Sequence, residues 1–143
     1  WGGFLHDIGM SRMTDEWTCD PLGDRDSQYL EHIEGHCRLG VEALKEFKVL
    51  PSEVNYIVYQ HHEAPNGSGL PNRLKGSSIH GPAMLVAAVD NWSALISRHP
   101  HRAPLTPPQA IKKMREPEMV ENFDPEVLDW LQKALFPGAS PKK

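Results

Sequence analysis

Two adjacent histidines, His61 and His62, lead into a glycine-rich run that ends at Gly69-Leu70-Pro71. Neighbouring side chains on a helix point about 100° apart, so one packed face rarely accommodates both rings. A helix that ends at a metal cluster can use both, because each ring approaches a different ion and His is the commonest side chain that binds transition metals. The glycines that follow let the backbone approach a ligand closely. The stretch therefore indicates the wall of a metal site joined to a substrate loop; two surface histidines before a turn are the alternative.

A second pair, His6-Asp7, follows the apolar Phe4-Leu5 and precedes Gly9, which can end a helix in the left-handed conformation. At such a helix end the imidazole and the carboxylate can converge on one point, and the carboxylate can bridge two metal ions. The alternative is a helix C-terminus at which the histidine interacts favourably with the helix dipole.

Two further residues fit the same chemistry. His36 lies four residues after His32, so the two share a helix face; His36 is either a metal ligand or a core histidine with a hydrogen-bond partner. Asp90 lies within the most apolar helical run, where a carboxylate is costly unless it is paired or binds a metal. A mixed set of nitrogen and oxygen ligands suits Fe, Mn, Zn or Co rather than Mg or Ca alone, and this set suffices for two ions with Asp7 between them.

Helices predicted from apolar periodicity and from capping residues carry these candidates. The predicted helices run from about 27 to 47, from Pro51 to the histidine pair, from 81 to about 97, from Thr106 and from Asp124. Residues 10–26 and 64–80 are predicted loops, and a loop as long as the second is usually functional or disordered. No strand is indicated, so we expect an all-α fold.

Composition restricts the possible partners and compartments. The 143 residues are 39% hydrophobic and 24% charged, with a formal charge of -4 and a pI of about 6.0, which argues against non-specific binding to nucleic acid or anionic membrane. Cys19 and Cys37 are too few for a disulfide framework, and neither a membrane-spanning apolar run nor a signal peptide is recognisable. We therefore expect reduced thiols in a cytoplasmic protein.

The two ends of the chain differ from the rest. Trp1-Gly2-Gly3-Phe4-Leu5 is typical of the end of a helix, so we expect the chain to be the later part of a larger domain. Residues 137–143 are expected to form a disordered tail.

The chain resembles an HD-GYP domain, the branch of the HD phosphohydrolase superfamily that hydrolyses cyclic di-GMP. The resemblance covers nearly the whole chain and is carried by five separated motifs in the family's order. They are Leu5-His6-Asp7-Ile8-Gly9, His36 with Gly40, His61-His62-Glu63 with Gly67-Ser68-Gly69-Leu70-Pro71, Val89-Asp90-Asn91-Trp92-Ser93-Ala94-Leu95, and Asn122-Phe123-Asp124-Pro125.

The resemblance implies an all-α, HD-domain-like bundle of about five to six helices over residues 1–136, with a long loop after the histidine pair and without the family's first helix or helices. It implies two or three divalent metal ions, with iron or manganese preferred, and catalytic roles for His6 and Asp7. The implied metal ligands are His6, Asp7, His36, His61, His62 and Asp90, with Asp7 bridging, and the implied substrate contacts are Gly69, Leu70, Pro71, Arg98 and Arg102.

The implied activity is hydrolysis of cyclic di-GMP to linear pGpG, with further cleavage to GMP as an option. A regulatory domain upstream and GGDEF-type protein partners are also implied, whereas DNA binding and membrane insertion are not.

Three departures from the family pattern motivate an alternative. Leu70 replaces the tyrosine of Gly-Tyr-Pro, Met10 replaces a lysine, and Arg98-His99-Pro100-His101-Arg102 replaces Arg-Pro-Tyr-Lys. A degenerate domain that binds cyclic di-GMP or signals through protein partners without turnover is the alternative. An HD phosphohydrolase acting on another nucleotide is a third reading, which the loop from Gly67 to Pro71 disfavours.

Overall fold

The structure, a computed structural model, describes residues 1–13, 25–98 and 102–138, without the side chains of 25–30. In these residues the fold is all-α and no strand is present, which confirms the predicted class. Seven α-helices occur in the described ranges, two of them single turns, against the five to six expected. They are α1 (Gly2–Leu5), α2 (Arg25–Leu44), α3 (Glu53–Gln60), α4 (Gly81–Ile96), α5 (Pro107–Met114), α6 (Pro117–Val120) and α7 (Pro125–Leu135).

A 3₁₀ turn, Ile8–Arg12, follows α1 and packs against α2. The expectation that Gly9 ends a helix in the left-handed conformation is wrong, since Gly9 lies inside this turn and is not among the residues with positive φ. Gly9 is needed for a different reason: a Cβ built on it would lie 1.9 Å from the backbone oxygen of His36 and 2.6 Å from the amide nitrogen of Gly40. The turn can therefore approach α2 only where neither backbone carries a side chain.

Helix α3 ends at the histidine pair, as predicted, with His61 as its C-terminal cap. Its apolar face buries Val54 and Val58 against Leu44 of α2. Gly40 allows this approach, because a Cβ there would lie 2.7 Å from Cγ1 of Val58. Burial of these aliphatic side chains, each worth about 1.5–3 kcal/mol when complete, fixes the end of α3 beside α2.

Helix α4 begins with Pro82 in its first turn and packs against α1, α3, α5 and α7. Its buried residues are small, namely Ala83, Ala87 and Ala88, so neighbouring helices approach its backbone closely. This arrangement places α4 beside both the histidine pair and the C-terminal helices.

The C-terminal helices form the largest hydrophobic cluster, around Met114 and Leu128. Asp124 caps α7, with its Oδ1 accepting from the amides of Glu126 at 2.8 Å and Val127 at 3.2 Å, as the sequence predicts. Val127, Leu128 and Leu131 form the buried stripe. The single-turn helix α6, which begins at Pro117, was not predicted from the sequence.

Two sequence-based expectations fall partly or wholly outside the described residues. The predicted loop at 10–26 is interrupted by the end of the 3₁₀ turn and by the start of α2 at Arg25, and its residues 14–24 are not described. Residues 139–143 of the expected disordered tail also lie outside, and the domain limits remain a prediction. Among the described helices, none combines the length and apolar character that a bilayer crossing requires.

Replacing Gly9 with alanine is expected to destabilise the fold, because the new Cβ would overlap the backbone of α2. Overpacking of this kind costs about 1–3 kcal/mol or more. Gly81→Ala is the matched control, since a Cβ at Gly81 meets nothing within 4 Å. Urea denaturation should give a clearly lower midpoint for Gly9→Ala only; equal midpoints for the two variants would contradict the close approach.

Candidate metal centre

Four separate segments bring the predicted ligands to one place. His6 and Asp7 lie between α1 and the 3₁₀ turn, His36 lies on α2, the pair His61-His62 follows α3, and Asp90 lies on α4. One ligand atom from each of Asp7, His36, His61 and His62 lies within 4.8 Å of the others.

Three of the imidazoles are oriented by backbone carbonyl groups. The Nδ1–O distances are 2.8 Å from His6 to Gly3, 2.9 Å from His36 to His32 and 2.9 Å from His61 to Val58. A carbonyl oxygen can only accept a hydrogen bond, so Nδ1 of each ring carries the proton and donates it. In the neutral ring Nε2 then presents a lone pair, which is the usual arrangement of a metal-binding histidine.

These Nε2 lone pairs point at one another and at Asp7. Nε2 of His36 lies 3.3 Å from Nε2 of His61 and 3.2 Å from Nε2 of His62. Oδ1 of Asp7 lies 3.4 Å from Nε2 of His61 and 3.6 Å from Nε2 of His36. Acceptors placed this close repel unless a cation lies between them. Atoms about 2.0–2.1 Å from one ion in a tetrahedral arrangement are about 3.3–3.4 Å apart, so the spacing fits a shared metal.

His6 and Asp90 lie on the other side of the Asp7 carboxylate. Nε2 of His6 is a buried atom without a hydrogen-bond partner in the described residues. It lies 3.3 Å from Oδ2 of Asp7 and 3.7 Å from Oδ1 of Asp90. The two oxygens of Asp7 therefore face different groups of ligands, which is the geometry that a bridging carboxylate requires.

The site carries an excess of negative charge next to His6. Contacts with Asp7, and then with Asp90, raise the pKa of His6 to about 10, so the pair of carboxylates attracts either a proton or a metal ion. Contacts with His6 and His61 hold the pKa of Asp7 well below its usual range, and His6 similarly lowers the pKa of Asp90. Both carboxyl groups are therefore ionised and available to a cation at neutral pH.

Burial has the opposite effect on two of the other rings. It lowers the pKa of His36, and it lowers the pKa of His62 to about 3, so both rings are neutral at pH 7. Cys37 is also close, with Sγ 3.7 Å from Nε2 of His36, but burial raises its pKa to about 12. Cys37 is therefore a neutral thiol, unsuited to binding a metal as a thiolate.

Asp90 differs from the sequence-based expectation in its environment. The carboxylate was expected to be costly because it lies within an apolar helical run, but its side chain is 40% exposed. Helix α4 turns Asp90, Val89 and Leu85 toward the surface, and its alanine face toward the core. The cluster is open on this side, where Asp7 is also 53% exposed.

Glu63 was not singled out by the sequence analysis as a residue with its own role, yet it fixes the loop beside the histidine pair. Its carboxylate is buried and accepts from the amides of Asn72 at 2.6 Å and Leu74 at 2.8 Å. Arg73, held between those two amides, has a φ of 54°, which is unfavourable for a residue with a side chain. The only sequence signal was an acidic residue directly after two candidate ligands.

The predicted substrate loop packs tightly under the histidine pair. A Cβ at Gly69 would lie 2.2 Å from the amide nitrogen of Ala64, and Leu70 donates its amide to the carbonyl of His62 at 2.9 Å. The side chain of Leu70 is buried against Ile33 and Cys37, and the peptide bond between Leu70 and Pro71 is cis. The loop therefore presents backbone near the cluster, while the Leu70 side chain points into the core.

The two arginines predicted to contact phosphate have different environments. Arg102 donates from Nη1 to the carbonyl of Leu95 at 2.8 Å and from Nη2 to that of Ala94 at 2.9 Å, so it caps the C-terminus of α4. Arg98 is exposed and makes no side-chain hydrogen bond or ion pair with the described residues. Of the two, Arg98 has the guanidinium that is available to a ligand.

The chain belongs to the HD domain family, which it matches over residues 2–127. It is 31% identical over 128 residues to 3'3'-cGAMP-specific phosphodiesterase 2 of Vibrio cholerae, covering 89% of this chain and 24% of that protein. It is 30% identical over 127 residues to a cyclic di-GMP phosphodiesterase of Thermotoga maritima, covering 83% and 34% respectively. It is also 30% identical over 128 residues to the cyclic di-GMP phosphodiesterase response regulator RpfG of Xanthomonas campestris, covering 89% and 33%.

These matches place the chain in the HD-GYP branch of the family. The chain spans only about a quarter to a third of the length of the relatives.

Asp7→Ala is expected to abolish metal retention by the purified protein, because it removes the carboxylate that faces both groups of ligands. The loss of metal affinity should exceed the decrease of about 10–100-fold that is typical when a residue hydrogen-bonded to a metal ligand is replaced. Asp129→Ala, which removes a surface carboxylate paired with Arg115, is the control. Elemental analysis per chain is the measurement; equal metal content in the two variants would contradict the site.

Arg102→Ala is expected to lower the free energy of unfolding by about 1 kcal/mol, because two carbonyls at the end of α4 lose their donor. Arg98→Ala should leave the stability unchanged, since the side chain has no described partner. Thermal denaturation of both variants measures the difference, and a larger loss for Arg98→Ala would contradict the capping role.

Proposed function

We propose that this chain is the catalytic domain of a metal-dependent cyclic dinucleotide phosphodiesterase, with cyclic di-GMP as substrate and linear pGpG, open to further cleavage to GMP, as product. The observation that carries the proposal is that one ligand atom from each of Asp7, His36, His61 and His62 lies within 4.8 Å of the others, with Nε2 of His36 3.3 Å from that of His61 and 3.2 Å from that of His62. The relatives named as cyclic di-GMP and 3'3'-cGAMP phosphodiesterases support the reaction class.

The residues that would hold the metal ions are those that the fold assembles around Asp7. Two ions are proposed because the two oxygens of Asp7 face different ligands, His36 and His61 on one side and His6 on the other. Iron or manganese suits this mixture of imidazole and carboxylate. When bound, such ions would lower the pKa of a water molecule and neutralise charge on the phosphodiester. The full ligand set is His6, Asp7, His36, His61, His62 and Asp90.

The chain itself supplies positioning and access. The carboxylates of Asp7 and Asp90 are 53% and 40% exposed, so a phosphodiester can approach from their side, whereas His61 is closed off by the core. The carbonyl groups that hold Nδ1 of His6 and His61 keep both rings in the ligand tautomer. His6 and Asp7 are the proposed catalytic pair, as the resemblance to the family implies, and Asp7 is the most exposed of the proposed ligands at this opening.

Two contacts to phosphate that the family pattern includes are absent at their expected positions. The side chain of Leu70 is buried and Met10 is uncharged, so neither offers a donor to a phosphate. Arg98 is the proposed phosphate contact in their place, together with the backbone at Gly69, Leu70 and Pro71. These two losses also favour the second candidate function, a domain that binds cyclic di-GMP or a protein partner without turnover.

The remaining proposals concern the whole protein. We expect an upstream regulatory domain and GGDEF-type protein partners, because the relatives are about three to four times longer than the match. We expect a cytoplasmic location, where a free buried thiol such as Cys37 stays reduced.

Incubation of the Mn- or Fe-loaded protein with cyclic di-GMP is expected to release linear pGpG, measured by chromatography. Activity should disappear in Asp7→Ala, because its ligand sets lose their shared carboxylate, and should persist in Asp129→Ala. Binding of cyclic di-GMP without any product, with both ions present, would contradict the enzyme and favour the binding domain.

A further inference from the structure

A cavity beside the metal centre has the size and chemistry of a site for one part of the substrate. It encloses about 220 Å³ and lies between α2, the loop at 61–70, α4 and the segment before α7. His61 and His62 form one side of it, so a ligand in the cavity adjoins the metal ligands. Pockets for whole drug-sized ligands are about 300–1,000 Å³, so this one has room for a single base.

We propose that this cavity binds one purine base of the cyclic dinucleotide, and that Asn91 and Asn122 recognise the edge of that base. The inference rests on the proposed function, and it adds the residues on which base specificity depends. Ile33 and Phe123, next to the buried Leu70, line the cavity and offer apolar and aromatic surface to the faces of the base.

The hydrogen bonds of Asn91 leave one end of its amide available. Nδ2 of Asn91 donates to the carbonyl of Ala87 at 3.0 Å, one turn earlier in α4. Oδ1 is the other end of the amide and makes no hydrogen bond with the described residues. Asn91 therefore offers an acceptor in the cavity wall.

Asn122 offers the opposite group. Its Oδ1 accepts from Nδ2 of Asn66 at 3.0 Å, while the hydroxyl of Ser68, 3.3 Å away, donates to Oδ1 of Asn66 at 2.7 Å. Because the oxygen is occupied, the Nδ2 group of Asn122 is the end left to donate. The cavity thus has one acceptor and one donor in its wall. Guanine has the carbonyl O6 beside N1–H, and adenine has the N6 amine beside N1, so the edge of either base complements the pair. Pyrimidine edges also place a donor beside an acceptor, so the preference for a purine rests on the larger apolar surface of its two rings.

The same hydrogen bonds connect base recognition to the metal centre. Asn66 and Ser68 belong to the loop that continues from the histidine pair, and Asn122 joins this loop to the start of α7. Asn91 directly follows Asp90 on α4. A base held by these two amides would fix the attached phosphodiester relative to the ligands, and such orientation contributes strongly to rate.

The names of the relatives show why a base-recognising residue matters. Some are named for cyclic di-GMP and others for 3'3'-cGAMP, and these two substrates differ in a single purine base. The proposed metal ions would act on the phosphodiester groups, which both substrates share. Discrimination between them therefore requires side chains that contact a base.

The test compares two variants on substrates with and without a purine. Asn122→Asp keeps the oxygen that accepts from Asn66 and replaces the donor, while Asn91→Leu removes the acceptor. The substrates are cyclic di-GMP, 3'3'-cGAMP, cyclic di-UMP and the base-free ester bis(p-nitrophenyl) phosphate. Asn55→Leu, on α3 and outside the cavity lining, is the control variant.

We expect each cavity variant to lower kcat/KM for the purine dinucleotides by about 10–100-fold, the range for a bidentate contact to a base. Hydrolysis of the base-free ester should stay within about twofold of the wild type, and this anionic ester also reports any effect of the negative charge that Asn122→Asp introduces. In the wild type, cyclic di-UMP should be a poorer substrate than either purine dinucleotide. Equal losses on the ester and the dinucleotides, or no loss on either, would overturn the inference and leave the proposed function standing.

Equilibrium binding separates the two proposals if no substrate is hydrolysed. Calorimetry with cyclic di-GMP then tests the cavity alone, because base contacts do not require turnover. Weaker binding by Asn91→Leu, which introduces no charge, than by Asn55→Leu would support the cavity although the enzyme proposal had failed. The same affinity in both variants would overturn the inference as well.

Discussion

The candidate metal centre depends on hydrogen bonds from imidazole Nδ1–H groups to helix carbonyls. His6 and His61 each donate to a carbonyl three residues earlier, and His36 donates to one four residues earlier. The last carbonyls of a helix lack partners within it, so the rings after α1 and α3 satisfy the helix end while they become fixed. The same bond determines the tautomer and directs the Nε2 lone pair. Helix termination thereby orients two of the candidate ligands, and a bond to the preceding turn of α2 orients the third, His36.

Close packing of backbones then brings these helix ends together. Gly9 and Gly40 let the 3₁₀ turn and α3 approach α2, and Gly69 lets the loop lie against the residues after the histidine pair. Glu63 holds the later part of that loop next to the histidine pair, because its carboxylate accepts from the amides of Asn72 and Leu74. A bound cation would offset the concentrated charge of these carboxylates, and Nε2 of His6, which is buried beside Asp7 and Asp90, would be available to it.

The surroundings of the centre divide into a closed and an open side. The closed side is formed by the buried cluster of Ile33, Cys37 and Leu70. The small alanine side chains of α4 let this helix pack close to its neighbours. The partly exposed carboxylates of Asp7 and Asp90 mark the open side, and the cavity lies against His61 and His62. Phosphate chemistry and base recognition would therefore use adjacent surfaces of one groove, connected by a single loop.

The sequence by itself determined the all-α class, most helix limits and the types of residue at the centre. These follow from local interactions: apolar residues recur with the helical period, Asp124 caps α7, and the histidine pair ends α3. The sequence did not determine that Leu70 points into the core, that Arg102 caps α4, or that Asp90 is exposed. Only the tertiary structure decided these, because each depends on contacts between residues distant in the chain or on which helix face the neighbours cover. The division of the Asp7 oxygens between two ligand groups has the same origin, since it requires four segments to pack at once.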